Sequence, residues 1–167
     1  ACLMSGIEVA YELRNKTDYL LASSAELLVP GYAPVYPTAF QYLFDTSLGV
    51  PQALEKFAGS YFNYIDTRNA AYRSATQSIV YTREMDALAI LAGKTTGNTH
   101  GRWDDALVGK LQHFDRPGSY GDIPARPRYF DFGQYMAYLA PERQADLDAL
   151  LRKTVVWKAA TPEFMAG

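Results

Sequence analysis

The chain has 167 residues, 49% of them hydrophobic and 20% charged, with a formal net charge of -2. That length buries a core without metal or disulfide support, the composition is globular rather than disordered, and no apolar run approaches the ~20 residues that span a bilayer. The lack of a basic excess excludes the electrostatic footprint of a nucleic-acid binder.

The chain opens on Ala1 with no charged-then-apolar signal segment, so the expectation is that a preceding piece was processed away or is not included. After Cys2, the stretch SGIEVAYELRNKT sets Ile7, Ala10 and Tyr11 on one helical side, with Val9 and Leu13 beside them and Glu8 and Glu12 on the remaining face. This spacing predicts a short, mostly buried helix. Tyr19 to Ala22 is an apolar run bounded by polar residues, as in a buried parallel strand. The next stretch, LLVPGYAPVYPTAF, carries Pro30, Pro34, Pro37 and Gly31 and reads as a stiff aromatic loop able to wall a pocket.

A helix is expected from Thr38 to about Phe44, and a second from Val50 and Pro51 through PQALEKFAGSYFNYI, where proline suits the first turn. A strand follows at Ser78 to Tyr81, and Thr82 is the expected N-cap of a helix over REMDALAILAG that closes near Gly93. The polar loop KTTGNTHG leads into a helix over RWDDALVGKLQHF. DRPGSYGDIPARPRY has no periodicity and reads as an exposed connection, the best place for a flexible site. Asp131 and Gln134 form a capping box before YMAYLA, and PERQADLDALLRK is a helix with an apolar stripe through Leu147, Leu150 and Leu151. TVVWKAAT either extends that helix or forms a strand. Strands interleaved with helices predict an α/β fold with a mainly parallel sheet.

Cys2 is the only cysteine, so it forms no internal disulfide and leaves the redox compartment open. It has two readings: a small buried hydrophobe, or a thiolate favoured by the free N–H groups of the helix that follows. On the second reading Ala1, Ser5 and Gly6 keep the surroundings small, so that a substrate carbonyl can approach the Cys2 backbone N–H as half of an oxyanion hole. A cysteine nucleophile needs a base, and the chain offers only His100 and His113. His113, near the end of the LQHF helix, reads as a structural residue interacting with the helix dipole. His100 lies in an open loop before Gly101, where imidazoles are either solvated or catalytic. The adjacent Asp104 and Asp105 are better explained by a helix N-terminus than by a cation.

The opening segment, ACLMSGIEVAYELRNKTDYLLASSAE, resembles the nucleophile region of the clostripain-like cysteine peptidases, which share a fold with caspases, gingipains and legumain. FDRPGSYGDIPARPRYFDFGQYMAYLA and DLDALLRKTVVWKAAT are similar to the later helices of that family. The resemblance implies a three-layer α/β/α sandwich with a mainly parallel sheet, incomplete in this chain, so that residues 1–167 form the C-terminal part of a peptidase domain truncated at both ends. It further implies that Cys2 attacks a peptide carbonyl to form a thioester. The base would be a histidine of a His-Gly pair upstream of the cysteine, on a companion chain, and this chain alone would be inactive. His100-Gly101 copies that signature in the wrong order.

The resemblance also implies cleavage of peptide or protein substrates after arginine or lysine, which requires a carboxylate in the pocket. Glu26, at the end of the first strand, is the best candidate in this chain, with Ser23 and Ser24 adding polar contacts. Tyr32 and Tyr36 are candidate pocket walls. No cofactor is implied, although some relatives respond to calcium, and the resemblance suggests secretion or attachment to a bacterial cell envelope. Two other readings stay open at this point: an inactive α/β interaction module with a packed cysteine, and an N-terminal-nucleophile amidase. The latter fold expects an opening strand where this sequence has a helix.

Overall fold

A computed structural model describes residues 2–69, 72–97, 105–115 and 127–162. Its elements in chain order are α1 (Ile7–Leu13), β1 (Tyr19–Ala22), α2 (Tyr36–Leu43), α3 (Val50–Asp66), β2 (Thr76–Tyr81), α4 (Met85–Thr96), α5 (Asp105–Val108), α6 (Phe132–Leu139), α7 (Gln144–Thr154) and β3 (Val155–Ala160). Short 3-10 turns at Thr82–Glu84 and Pro141–Arg143 lead into α4 and α7.

The described strands form one sheet in the order β1-β2-β3. Alternation along the central strand divides the core. Val80, with Leu20 of β1, faces a cluster built from Ala10 of α1, Met85, Leu88 and Leu91 of α4, Met136 of α6 and Leu147 of α7. Gln77 and Ile79 have the opposite parity, and Gln77 meets the aromatic residues of the other helical layer. That layer holds Val35, Ala39, Tyr61, Ile65 and Ala75, contributed mainly by α2, α3 and the segments flanking them. Period-2 side-chain alternation on a sheet covered on both faces thus yields the expected three layers.

The direction of the strands corrects the sequence reading. All described pairings are antiparallel, with Tyr19 opposite Tyr81, Ala22 opposite Ser78 and Thr76 opposite Ala160. A single helix between two strands carries the chain to the far end of the sheet and makes a parallel pair. Here α2 and α3 pack on each other between β1 and β2, so the connection goes out and comes back to the end it left.

Three local expectations also change. Thr82 does not cap α4: it is fully buried, its backbone N–H donates to the Asp18 carbonyl at 2.9 Å, and its hydroxyl donates to the Thr17 carbonyl. Of the helix expected over 102–114, residues 102–104 lie outside the described residues, α5 covers Asp105–Val108, and His113 instead forms a bridge with Phe130, its Nδ1 lying 3.0 Å from the Asp115 carbonyl. Asp131 does cap α6, its Oδ1 accepting from the Gln134 N–H at 2.7 Å. Gln134 departs from a capping box, since its Oε1 accepts from the Gln112 N–H at 2.7 Å and so ties α6 to that bridge. Val155–Ala160 is a strand rather than an extension of α7, with alternate residues covered.

Candidate active site

Cys2 does not sit at a helix end. α1 begins at Ile7 with Gly6 as its N-cap, so the helix-dipole argument for the thiol gives way to a different geometry. The intervening residues run along the end of β1: Leu3 N–H donates to the Ala25 carbonyl at 3.3 Å, and Met4 and Ser5 N–H both donate to the Ser23 carbonyl, at 3.1 and 3.2 Å. The Ser5 and Ser78 hydroxyls share a short hydrogen bond that fastens this segment to β2. Leu3, directly after the thiol, has φ 54°, a left-handed conformation that costs an L-residue about 1–2 kcal/mol. These bonds to the end of β1 hold it there. Backbone strain of this kind concentrates at functional sites.

The thiol itself is exposed, so the packed state required by the inactive-module reading is not supplied by the described residues. Its Sγ accepts a hydrogen bond from the Leu27 backbone N–H at 3.2 Å. That donor belongs to the loop after β1, the loop the sequence marked as a pocket wall. Gly31 turns this loop at φ 63°, where a side chain would be strained. Cys2, Ser23 and the neighbourhood of Glu26 are therefore brought close to one another.

The substrate-binding candidates occupy different environments. Ser23 is buried, its hydroxyl donating to the Ala25 carbonyl at 2.8 Å and lying 3.0 Å from the Thr76 hydroxyl. Its role is to shape the loop. Thr76 completes the arrangement by accepting from the Ala25 N–H at 2.9 Å. Thr76→Val keeps the volume but leaves that buried N–H unpaired, and is expected to lower unfolding free energy by about 1–3 kcal/mol in a denaturant titration. Ser24 and Glu26 are half-buried on the same loop.

A cleft of about 190 Å³ opens beside this loop, with Leu27 in its wall. Leu21, Ala22, Tyr36 and Phe57 supply its apolar surface, and Ser23, Tyr32 and Gln77 its polar atoms. The Tyr32 hydroxyl donates to Gln77 Oε1, and its ring stacks on Tyr61 at 4.4 Å and on Phe57 at 5.1 Å. Burial pushes the Tyr32 phenol well above its ordinary pKa, against the opposing effect of the Gln77 hydrogen bond. Tyr61, fully buried, is pushed up to about 12 by burial first and then by the charge of Cys2 and Tyr64. Its hydroxyl meets no partner among the described residues. Both phenols are neutral over the physiological range.

Sequence reasoning found Cys2, Tyr32 and Tyr36 but missed Gln77, Phe57 and Leu27. Gln77 lies one residue before the expected strand, and extending the alternation back through Thr76 would have put it on the Ile79 face. Phe57 and Tyr61 stand four apart on α3, a spacing readable as one helix face. Leu27 acts through a backbone N–H, which no side-chain pattern marks.

His113 remains in its bridge with Phe130. His100, Gly101 and Asp104 lie outside the described residues, as does the side chain of Asp105. No cluster of three or more metal-ligating side chains occurs among the described residues, and no described helix is long and apolar enough to cross a membrane.

The Clostripain family model matches residues 1–110, which include the thiol, its loop and the aromatic cleft. The chain belongs to the clostripain family. It is similar to a clostripain from Bacteroides thetaiotaomicron ATCC 29148 in complex with the peptide inhibitor BTN-VLTK-AOMK, at 28% identity and a TM-score of 0.77 over 98% of this chain and 66% of that one. A second similar structure is iotapain, a secreted C11 cysteine protease from Bacteroides thetaiotaomicron (28% identity, TM-score 0.76, 98% of this chain and 42% of that one). A third is an inactive zymogen C11 protease from Parabacteroides distasonis (27% identity, TM-score 0.76, 98% and 43%). This clostripain-family chain thus spans 66% or less of the length of these three proteins. No curated protein matches it.

Proposed function

We propose that this clostripain-family chain carries the nucleophile of a cysteine endopeptidase that cleaves after arginine or lysine. The observation that carries the reading is the exposed Cys2 thiol, held by the N–H of Leu27, a residue that also lines a cleft, in the segment matched by the family model. Cys2 Sγ attacks the substrate carbonyl, the amine leaves with a proton, and water hydrolyses the thioester. The base is a histidine preceding this chain, on a companion segment, and the Cys2 backbone N–H serves as one oxyanion donor.

Glu26, half-buried next to Leu27, faces the basic side chain, with Ser24 beside it. The lysine that ends the peptide portion of the inhibitor bound by the B. thetaiotaomicron clostripain supports a basic preference. Likeness to secreted C11 proteases supports export or association with the cell envelope. No cofactor is part of the proposed chemistry.

The test is to express the chain together with the sequence that precedes it, identify the products by intact mass and N-terminal sequencing, and assay matched arginyl, lysyl, leucyl and aspartyl reporter peptides. Cleavage confined to the basic peptides is expected; equal or preferential cleavage of the others overturns the basic assignment. Glu26→Gln is expected to raise KM for the arginyl peptide about tenfold, the loss of one charge-assisted hydrogen bond. An unchanged KM removes Glu26 from the site.

A further inference from the structure

We infer that the aromatic cleft beside Cys2 is a second substrate subsite, which takes an uncharged apolar side chain from one of the three residues preceding the basic residue at the cleavage point. The inference rests on the peptidase reading above and deepens it. Its position follows from Leu27, whose N–H meets the Cys2 sulfur and which also lines the cleft. A peptide held with its carbonyl at the thiol therefore passes this opening. At about 190 Å³ the cleft is smaller than the roughly 300 Å³ at which pockets begin to hold drug-sized molecules. It suits one side chain.

The lining decides which kind. No carboxylate lines the cleft among the described residues. Its polar atoms are committed internally: the Ser23 hydroxyl to the Ala25 carbonyl, and the Tyr32 hydroxyl to Gln77. A lysine or arginine head placed there would lose water and gain no counter-charge, a strongly disfavoured transfer. An aliphatic or aromatic side chain meets Leu21, Leu27, Phe57 and the Tyr36 ring, and exchanges hydration for close apolar contact. The wall continues outward along α2, where Phe40 stacks on Tyr36 at 4.8 Å and both rings are about two-fifths exposed (44% and 42%). Glu26 follows a different course, on the half-buried loop and outside the lining. The site is thus divided into an acidic loop for the basic residue and a neutral cleft for a neighbour.

The test uses the full protein and reporter peptides with arginine fixed at the cleavage point, scanning phenylalanine, leucine, serine, lysine and aspartate through each of the three preceding positions. At one position phenylalanine or leucine is expected to exceed serine in kcat/KM by about 10- to 100-fold, the range set by burying one large apolar side chain. Tyr36→Ala, at a partly exposed ring, is expected to shrink that ratio at least threefold, and Tyr36→Glu to reverse the order between leucine and lysine at that position. Tyr138→Ala, an exposed tyrosine on α6, should leave the ratio as it is. Cleavage of arginyl peptides with less than a twofold effect at all three positions overturns the subsite while leaving the peptidase reading intact. A preference for an apolar residue at the cleavage point itself overturns the assignment of the cleft to a neighbour, and absence of any peptide cleavage removes the underlying reading as well.

Discussion

In the full protein, Cys2→Ala is expected to lower kcat for arginyl peptide hydrolysis by a factor on the order of 10⁶, the scale of losing a covalent nucleophile. Nothing described in the chain replaces it, because Cys2 is the only cysteine. The substitution should be structurally mild. The side chain is exposed and its described hydrogen bond is the one from Leu27, so stability is expected to stay within about 0.5 kcal/mol. Two measurements separate chemistry from folding: steady-state kinetics against the wild type, and a denaturant midpoint for both proteins. Iodoacetamide should label Cys2 of the wild type with parallel loss of activity. A variant that kept a tenth of the wild-type rate would place the nucleophile elsewhere.

Asp115→Ala is expected to cost about 2–4 kcal/mol, because it strips the acceptor from two backbone donors at once. Asp115 is fully buried, and its carboxylate accepts from the Arg128 N–H at 2.9 and 3.1 Å and from the Tyr129 N–H at 3.1 Å. Around it, Phe114 N–H donates to the Tyr129 carbonyl and Asp131 N–H to the Gln112 carbonyl, at 2.9 and 2.8 Å. The carboxylate therefore binds the segment entering residues 116–126 to the one leaving them, next to the cap of α6. A fall in Tm of about 4–16 °C follows for a chain of this size. Asp115→Asn retains one acceptor oxygen and should recover roughly half of the loss. A midpoint shift worth less than about 0.5 kcal/mol for the alanine variant would show that solvent satisfies these donors as well as the carboxylate does.

Asp115 also shows where sequence reading ends. It opens DRPGSYGDIPARPRY, a stretch whose prolines and glycines read as exposed, yet its first residue is an anchor. Aperiodicity reports the lack of a repeating backbone bond pattern and is silent on a single side chain that satisfies a distant backbone. The same limit applies to Thr82. It stands where an N-cap belongs, but the arrival of residues 17 and 18 beside it supplies stronger partners for both its N–H and its hydroxyl.

What the sequence by itself determined was set by neighbours along the chain. The apolar spacing in IEVAYEL made α1, the run YLLA made β1, the cap at Asp131 started α6, and the density of the opening 26 residues was enough to place Cys2 in the clostripain family. Only the tertiary structure decided strand direction, since parallel and antiparallel neighbours present the same local pattern and differ in the path of the connection between them. It also decided that a Leu27 N–H, rather than a helix end, meets the thiol, and that Gln77 and Phe57 face the same cleft as Tyr32. The relations of Cys2 to Leu27 and of Tyr32 to Phe57 and Gln77 join residues 25 to 45 positions apart, and their energies come from desolvation and hydrogen bonding between surfaces that exist only once the layers have packed.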